Sequence, residues 1–385
     1  MDKTRIIILQ RIIPHYRTGF FKKFKREYSE SEIFYGQPYK NESLKNSDLN
    51  ESSSFKFFKN LYFGKSGKIF ISEIYNEILR YRPQIVISVF NAGNLNIYLL
   101  FILRKFLKFK IILWSFGYDP ASGFNPNKKF ADKLRLLLSE KADAVLFYWE
   151  KGKSEAEVFA KNKSHFFVAP NTLDTETLFS LKKSFDEKGI GILKKELGII
   201  EKHHFVYTGR LLKDKQADIL IRAFGKLEEK NPDCRLSIIG DGPESDYLRK
   251  LSEDLNTRNV KFLGEILDEE TVGKWIYVSD AFVMPGRLGL SVVHSFCFAT
   301  PVISQKKETY YHGEGVGYIK DGFNGFLVED GNKDKMAGLM NEIISVPGLS
   351  SKLKQNAFDT AINDCSLEKM LGGFNKAISH VLNKK

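Results

Sequence analysis

Cysteine is scarce in this chain, and each one is isolated. Cys234, Cys297 and Cys365 sit far apart, with no CxxC pair. That excludes a disulfide framework and a cysteine-based zinc site, and it fits a reducing compartment. Long apolar runs are missing as well. The longest, Ile97–Leu103, is closed by Arg104 and Lys105, well short of the about 20 residues a bilayer span needs. The opening MDKTRIIILQ has neither the long apolar stretch nor the cleavage site of a signal peptide, so the expectation is a cytoplasmic protein. The 7 histidines show no ligand spacing and no Asp-x-Asp stands at a strand end; no metal and no other cofactor is expected.

Acid is scarce in one half only. The chain carries a net charge of +12, nearly all of it within residues 1–180, where lysine and arginine outnumber the acids by 29 to 18. The remainder is almost balanced. A basic first half calls for an anionic partner, a membrane leaflet or a nucleic acid. With no zinc finger, RNA-binding aromatic signature or heptad-bearing basic helix, nucleic acid is not expected.

What is present is a folded α/β pattern. The 385 residues exceed one compact core and suit two domains. Short β-branched runs, RIIIL, QIVISVF (Gln84–Phe90), KIILW (Lys110–Trp114), DAVLFY and HFFVA, alternate with helical stretches at Ile69–Tyr81, Asn94–Leu107 and Lys128–Lys141. Unbroken apolar strands alternating with helices mean a parallel sheet covered on both faces. A second series starts near His203, with HFVYTG, RLSIIG, VKFLGE, AFVMPG, PVIS and GFLVED. The expected organisation is α/β, with two Rossmann-like domains in tandem: 1–170, a connector at 171–202, then 203–365. A C-terminal helix follows at 366–385.

Open parallel sheets bind ligands beyond the carboxyl ends of their strands, and the unusual residues follow those ends. Arg210 and Lys215 after FVYTG combine a planar fork and a point charge suited to a diphosphate; solvated side chains flanking a turn are the plain alternative. Gly289, Leu290 and Ser291 open a helix after AFVMPG, where free amides make an anion site.

The ordered set YTGRLLKDKQADILIRAFGKL, LSIIGDGPESDYLRKL, VKFLGEI, AFVMPGRLGLSVVHSFCFATPVI and DGFNGFLV resembles the retaining glycosyltransferases of the two-Rossmann-domain (GT-B) type, family four. VAPNTLDTETLF looks like the segment that leaves that family's first domain, and LQRIIPHYRTGFF like a bacterial polysaccharide-building branch. The resemblance implies that Gly209, Arg210 and Lys215 grip a sugar-nucleotide diphosphate, helped by the amides of Leu290 and Ser291. It places Phe262, Leu263, Gly264 and Glu265 beside the base, and Gly240, Gly242 and Pro243 along the cleft floor. Gly286 and His294 occupy the positions of two family glutamates, one near the sugar being transferred and one at the ribose. His294 is expected to take over the ribose hydroxyls, and Arg287 or Glu314 to reach the space above Gly286. In the first half Phe116 stands where relatives carry a histidine, and no Gly-Gly pair follows the first strand.

The acceptor, a glycan or lipid-linked glycan, is expected at the first domain, with His15, Arg17, Gly19, Phe116 and Asp119 as candidate contacts. The helix at Phe20–Tyr28 sets Phe20, Phe21, Phe24 and Tyr28 on one face among lysines, read either as core or as a contact with anionic lipid. FILRKFLKFK at Phe101–Lys110 invites the same two readings. UDP is the expected nucleotide before GDP. The alternatives are a non-catalytic nucleotide-binding or scaffold protein of the same fold, and a sugar-nucleotide epimerase, which the missing glutamates disfavour.

Overall fold

The computed structural model describes residues 3–40, 42, 45–47, 55–65, 67–118, 122–306 and 312–383. The chain forms two compact units, 1–174 with 367–385, and 175–366. Among the described residues no helix is long and apolar enough to cross a membrane.

In the first unit the strands are β1 (Ile6–Leu9), β2 (Ser31–Tyr35), β3 (Phe55–Phe57), β4 (Asn60–Phe63), β5 (Ile69–Ser72), β6 (Ile85–Val89), β7 (Lys110–Ser115), β8 (Ala144–Phe147) and β9 (Phe166–Val168). Seven of them pair in parallel in the order β3-β2-β1-β6-β7-β8-β9, while β4 and β5 form a separate antiparallel hairpin. Ile6, Ile8, Ile112 and Trp114 point to one sheet face, and Ile7, Leu9, Ile111 and Leu113 to the other. Both faces are buried, as the unbroken apolar runs require.

The second unit holds β10 (His203–Thr208), β11 (Cys234–Ile239), β12 (Val260–Gly264), β13 (Ala281–Val283), β14 (Val302–Gln305) and β15 (Gly325–Val328). All pair in parallel, in the order β12-β11-β10-β13-β14-β15. This is the doubly wound order, whose direction reverses between β10 and β13, the place where such sheets bind ligands.

Three expectations need correction. Ile69–Tyr81 is not one helix: Ile69–Ser72 pairs with Asn60–Phe63 as a hairpin strand, and the helix begins at Tyr75. The segment expected as a connector is mostly helical, at Thr175–Lys188 and Ile190–Glu196, and belongs to the second unit. Phe185 holds it there, stacked on Phe298 at 5.7 Å. The lipid reading of Phe20–Tyr28 fails as well. Phe20, Phe21, Phe24 and Tyr28 are buried, because the C-terminal helix Leu367–Asn383 returns to the first unit and sets Phe374 4.8 Å from Phe20 and 5.0 Å from Trp114. Tyr28 also donates to the Asn375 side chain at 2.9 Å.

Candidate nucleotide-sugar site

In the second unit, three loops at the carboxyl edge of the sheet are laced together through their backbones. Gly209 donates to Ile239 at 2.9 Å, Leu211 to Asp241 at 2.9 Å and Gly240 to Gly264 at 2.7 Å. A Cβ on Gly240 would fall on the Gly209 carbonyl oxygen, and one on Gly242 on that of Leu211. These two glycines therefore serve the approach of loop to loop, a role the sequence reading gave to a ligand. Gly209, at φ +149°, turns the chain so that Arg210 is exposed. The Arg210 guanidinium makes no hydrogen bond or ion pair with the described residues.

Lys215 ends a 3-10 turn, Lys213–Lys215, that leads into the helix Ala217–Lys230. This turn meets the loop after β13 across the point where the strand order reverses. Gly286 donates to the Lys215 carbonyl at 2.9 Å and Arg287 to the Asp214 carbonyl at 2.8 Å. In return the Lys215 ammonium donates to the Arg287 carbonyl. Burial holds the lysine below its ordinary value, the Arg287 charge acts in the same direction, and Asp214 opposes both. The Arg287 side chain is half exposed, 3.9 Å from the Asp214 carboxylate. Three cations, Arg210, Lys215 and Arg287, thus stand on the two loops that meet where the strand order reverses.

Gly286 is buried, and a Cβ there would strike the backbone of Asp214 and Lys215. The absence of a glutamate at this position follows from the direct contact of the two loops. Its amide is also engaged, so Gly286 offers a ligand neither a side chain nor a free N–H.

The continuation of this loop is held by a residue that sequence reasoning missed. His312 is buried, accepts from the Leu288 amide at 3.1 Å and contacts the Gln305 carbonyl at 2.9 Å. Since an amide only donates, Nδ1 accepts, and the ring proton lies on Nε2. Gly313 adds a hydrogen bond to the Leu288 carbonyl at 2.8 Å, and a Cβ on Gly315 would overlap the Gly289 carbonyl. The His-Gly-Glu-Gly run was the only signal available, and it belongs to no motif used above. The clamp fixes the approach to Leu290 and Ser291, which open the short helix Ser291–Cys297.

The remaining candidates lie at β12 and beside the neighbouring helix. The Phe262 ring sits under the Arg249 guanidinium at 4.7 Å. Leu263 is half-buried, Gly264 takes φ +73°, and Glu265 and Pro243 are exposed. His294 is tied to a carboxylate: its Nε2 lies 2.5 Å from Glu269, and its ring packs 5.5 Å from Phe298. Glu269 starts the helix Glu269–Tyr277, which Asp268 caps through the Thr271 amide at 2.8 Å. Glu314 lies in the turn Glu314–Tyr318, half-buried.

In the first unit, Arg17 is buried with its guanidinium 4.2 Å from the Trp114 ring and 5.3 Å from Tyr148, and it donates to Asn171 at 2.8 Å. A Cβ on Gly19 would run into the Asp174 carboxylate. Phe116 is half-buried among Tyr118 at 5.1 Å, Trp149 at 5.3 Å and Tyr148 at 6.3 Å. Arg17 and Phe116 thus share Tyr148, whereas His15 is exposed nearby. Asp119 lies outside the described residues.

Residues 191–360 match the family model of glycosyl transferases group 1. The poly(glycerol-phosphate) alpha-glucosyltransferase of Bacillus subtilis (strain 168) is 24% identical over 57% of this chain and 30% of its own length. The lipopolysaccharide core biosynthesis glycosyltransferase LpsE of Rhizobium meliloti (strain 1021) is 28% identical over 43% of this chain and 46% of its own. This chain therefore spans less than two thirds of either relative. The structure of Anabaena HepE in complex with UDP superposes with a TM-score of 0.69 at 15% identity, covering 98% of this chain and 100% of that one. That likeness is one of fold, two Rossmann-like units of the GT-B type. Residues 191–360, nearly the whole second unit, are thus similar to the glycosyl transferases group 1 family.

Proposed function

We propose that the chain is a glycosyltransferase that moves a sugar from a nucleotide-sugar donor, UDP-linked before GDP-linked, to a glycan or lipid-linked glycan of a bacterial surface polysaccharide. The observation that carries the reading is the pairing of the Lys213–Lys215 turn with the Gly286–Arg287 backbone, which sets Lys215 and Arg287 at the reversal point of the sheet. The activities for which the relatives are named, a glucosyl transfer to poly(glycerol-phosphate) and lipopolysaccharide core synthesis, support the acceptor class. The UDP complex of the HepE protein supports the choice of nucleotide.

In this mechanism the barrier is the breaking of the sugar–phosphate bond, with charge building on the departing diphosphate. Arg210 and Lys215 stabilise that charge, each well-placed donor contributing roughly 3–4 kcal/mol. The departing phosphate oxygen takes the proton of the acceptor hydroxyl, so attack occurs on the face the diphosphate leaves and the configuration is retained. No metal is required, because the cations of the two loops do its work. The protein would act at the cytoplasmic face of the cell membrane, as a basic first unit and a lipid-linked acceptor demand.

Calorimetric titration with UDP and GDP, with and without EDTA, tests this reading. Micromolar binding of one nucleotide, unaffected by EDTA and lost in Arg210→Ala plus Lys215→Ala, is the expected result. The buried Gly286, with no room for a side chain, favours a second reading, a nucleotide-binding protein without turnover. Hydrolysis or transfer of the matching sugar nucleotide separates the two.

A further inference from the structure

The β4–β5 hairpin has two faces of opposite circumstance. Its inner face is built into the first unit. Tyr62 and Phe70 pack with ring centroids 5.9 Å apart. Asn60, which is 2% exposed, donates to the Arg11 carbonyl at 2.9 Å and accepts from Ser72 at 2.6 Å. The outer face follows from the period-2 alternation of a strand and would ordinarily be polar where it meets water. Here it is apolar on both strands. Leu61 stands opposite Ile71 and Phe63 opposite Ile69, and Leu61, Phe63 and Ile69 are 37%, 49% and 44% exposed.

Charge identifies the occupant of this face. Residues 55–73 contain four lysines and a single acid, Glu73, which is exposed and donates through its amide to the Lys59 carbonyl at 3.3 Å. Lys56 is engaged by Glu32 at 2.8 Å and Glu77 at 2.6 Å. Lys59, Lys65 and Lys68 are exposed around the hairpin. An apolar ridge with a predominantly basic fringe, four lysines to one acid, matches an anionic bilayer surface: side chains enter the acyl boundary and ammonium groups remain among the headgroups.

We propose that the outer face of the β4–β5 hairpin docks the first unit onto an anionic lipid surface through Leu61, Phe63 and Ile69, with Lys59, Lys65 and Lys68 contacting the headgroups. The hairpin takes the place of the Phe20–Tyr28 helix, whose aromatic face is buried. Through Asn60 and Arg11 it is anchored to the loop that leads into the helix His15–Glu27, which carries His15 and Arg17. This names the surface behind the membrane contact of the proposed function, and it does not depend on the donor chemistry.

The test is co-sedimentation of the full chain with vesicles of phosphatidylglycerol and phosphatidylcholine, against phosphatidylcholine alone. Binding is expected only to the anionic vesicles and weakens as salt is raised. Lys59→Glu with Lys65→Glu and Lys68→Glu should weaken it about 100-fold or more. Leu61→Ser with Phe63→Ser and Ile69→Ser should weaken it at least about tenfold. Phe106→Ser, at another exposed aromatic (76%), should leave it unchanged. Equal binding to both vesicle types, indifference to the hairpin changes, or an equal loss in Phe106→Ser overturns the proposal. So does a dimer that the serine variant dissociates while vesicle binding persists, since a second copy would then cover this face. The lysine variant keeps the test open if the serine variant does not fold, and thermal melting of each variant shows which case holds. UDP titration of the same proteins reports on the donor site separately.

Discussion

The Lys215 ammonium is held by the Arg287 carbonyl, and the Gly286 amide returns a hydrogen bond to the Lys215 carbonyl. Side chain and backbone thus fasten the loops after β10 and β13 to one another where the strand order reverses. A lysine so held keeps two further donors for a ligand.

Lys215→Ala should weaken UDP binding by about 2–3 kcal/mol, roughly 30- to 150-fold, through the lost charge-assisted contact and the slackened loop. Lys215→Arg should not restore it, because a planar fork does not fit the slot of a compact ammonium. The depressed lysine pKa sets the sign of the pH effect. The charged form is lost as pH rises through a value below the ordinary 10.5, so UDP affinity should fall at a lower pH than an exposed lysine would give. Titration calorimetry across the alkaline range reads both effects.

Gly286→Glu would place the expected carboxylate at the family position, yet it should lower stability and binding together. A Cβ there meets the Asp214 and Lys215 backbone, and prising the two loops apart should cost about 2 kcal/mol or more. Thermal melting and UDP titration are the measurements. A gain in activity with unchanged melting would show that the loops part readily.

The two sheets were legible in the sequence because buried parallel strands read as unbroken β-branched runs, such as Ile6–Leu9 and Ile111–Trp114. Arg210 and Lys215 were legible for a similar reason, since their spacing after a strand is local. Segment 31–72 was not. Its strands are short and edge-like, and Ile69–Ser72 adjoins a helix without a break, so the apolar run was read as one helix. The fate of Phe20 and Phe24 was hidden because their partner, Phe374, lies some 350 positions away in the chain. The His312 clamp on Leu288 and the crowding at Gly286 are likewise contacts between distant loops, which no local pattern encodes. His294 was found by its position alone, and its Glu269 partner on another helix was not.

His204 predicts an acid-sensitive second unit. It is fully buried between the Ser237 and Ser279 hydroxyls, each at 2.9 Å. Burial pushes its pKa well below the ordinary 6.5, and the Arg235 charge adds to the shift. The unfolded chain takes up a proton below about pH 6.5 while the folded chain does not, so acid favours unfolding by about 1.4 kcal/mol per pH unit until the folded value is reached. Urea midpoints measured from neutral pH down to pH 5 should show this slope. His204→Gln, less stable at neutral pH, should lose that part of it.

Truncation after Ser366 separates the two units most directly. The C-terminal helix belongs to the first unit, where it buries Met370, Leu371, Phe374, Ile378 and Val381. Gly373 lets it approach closely, since a Cβ there would strike the Val168 carbonyl and Ala169. Removing it uncovers the sheet face over β8 and β9, whereas Phe374→Ala alone should cost about 3–5 kcal/mol. The truncated chain should therefore be cut by protease within residues 3–174 while 175–366 resists. UDP binding should survive, because Arg210, Lys215 and the clamped loop all lie in the second unit. Loss of UDP binding with that unit still protease-resistant would mean that the nucleotide also depends on the first.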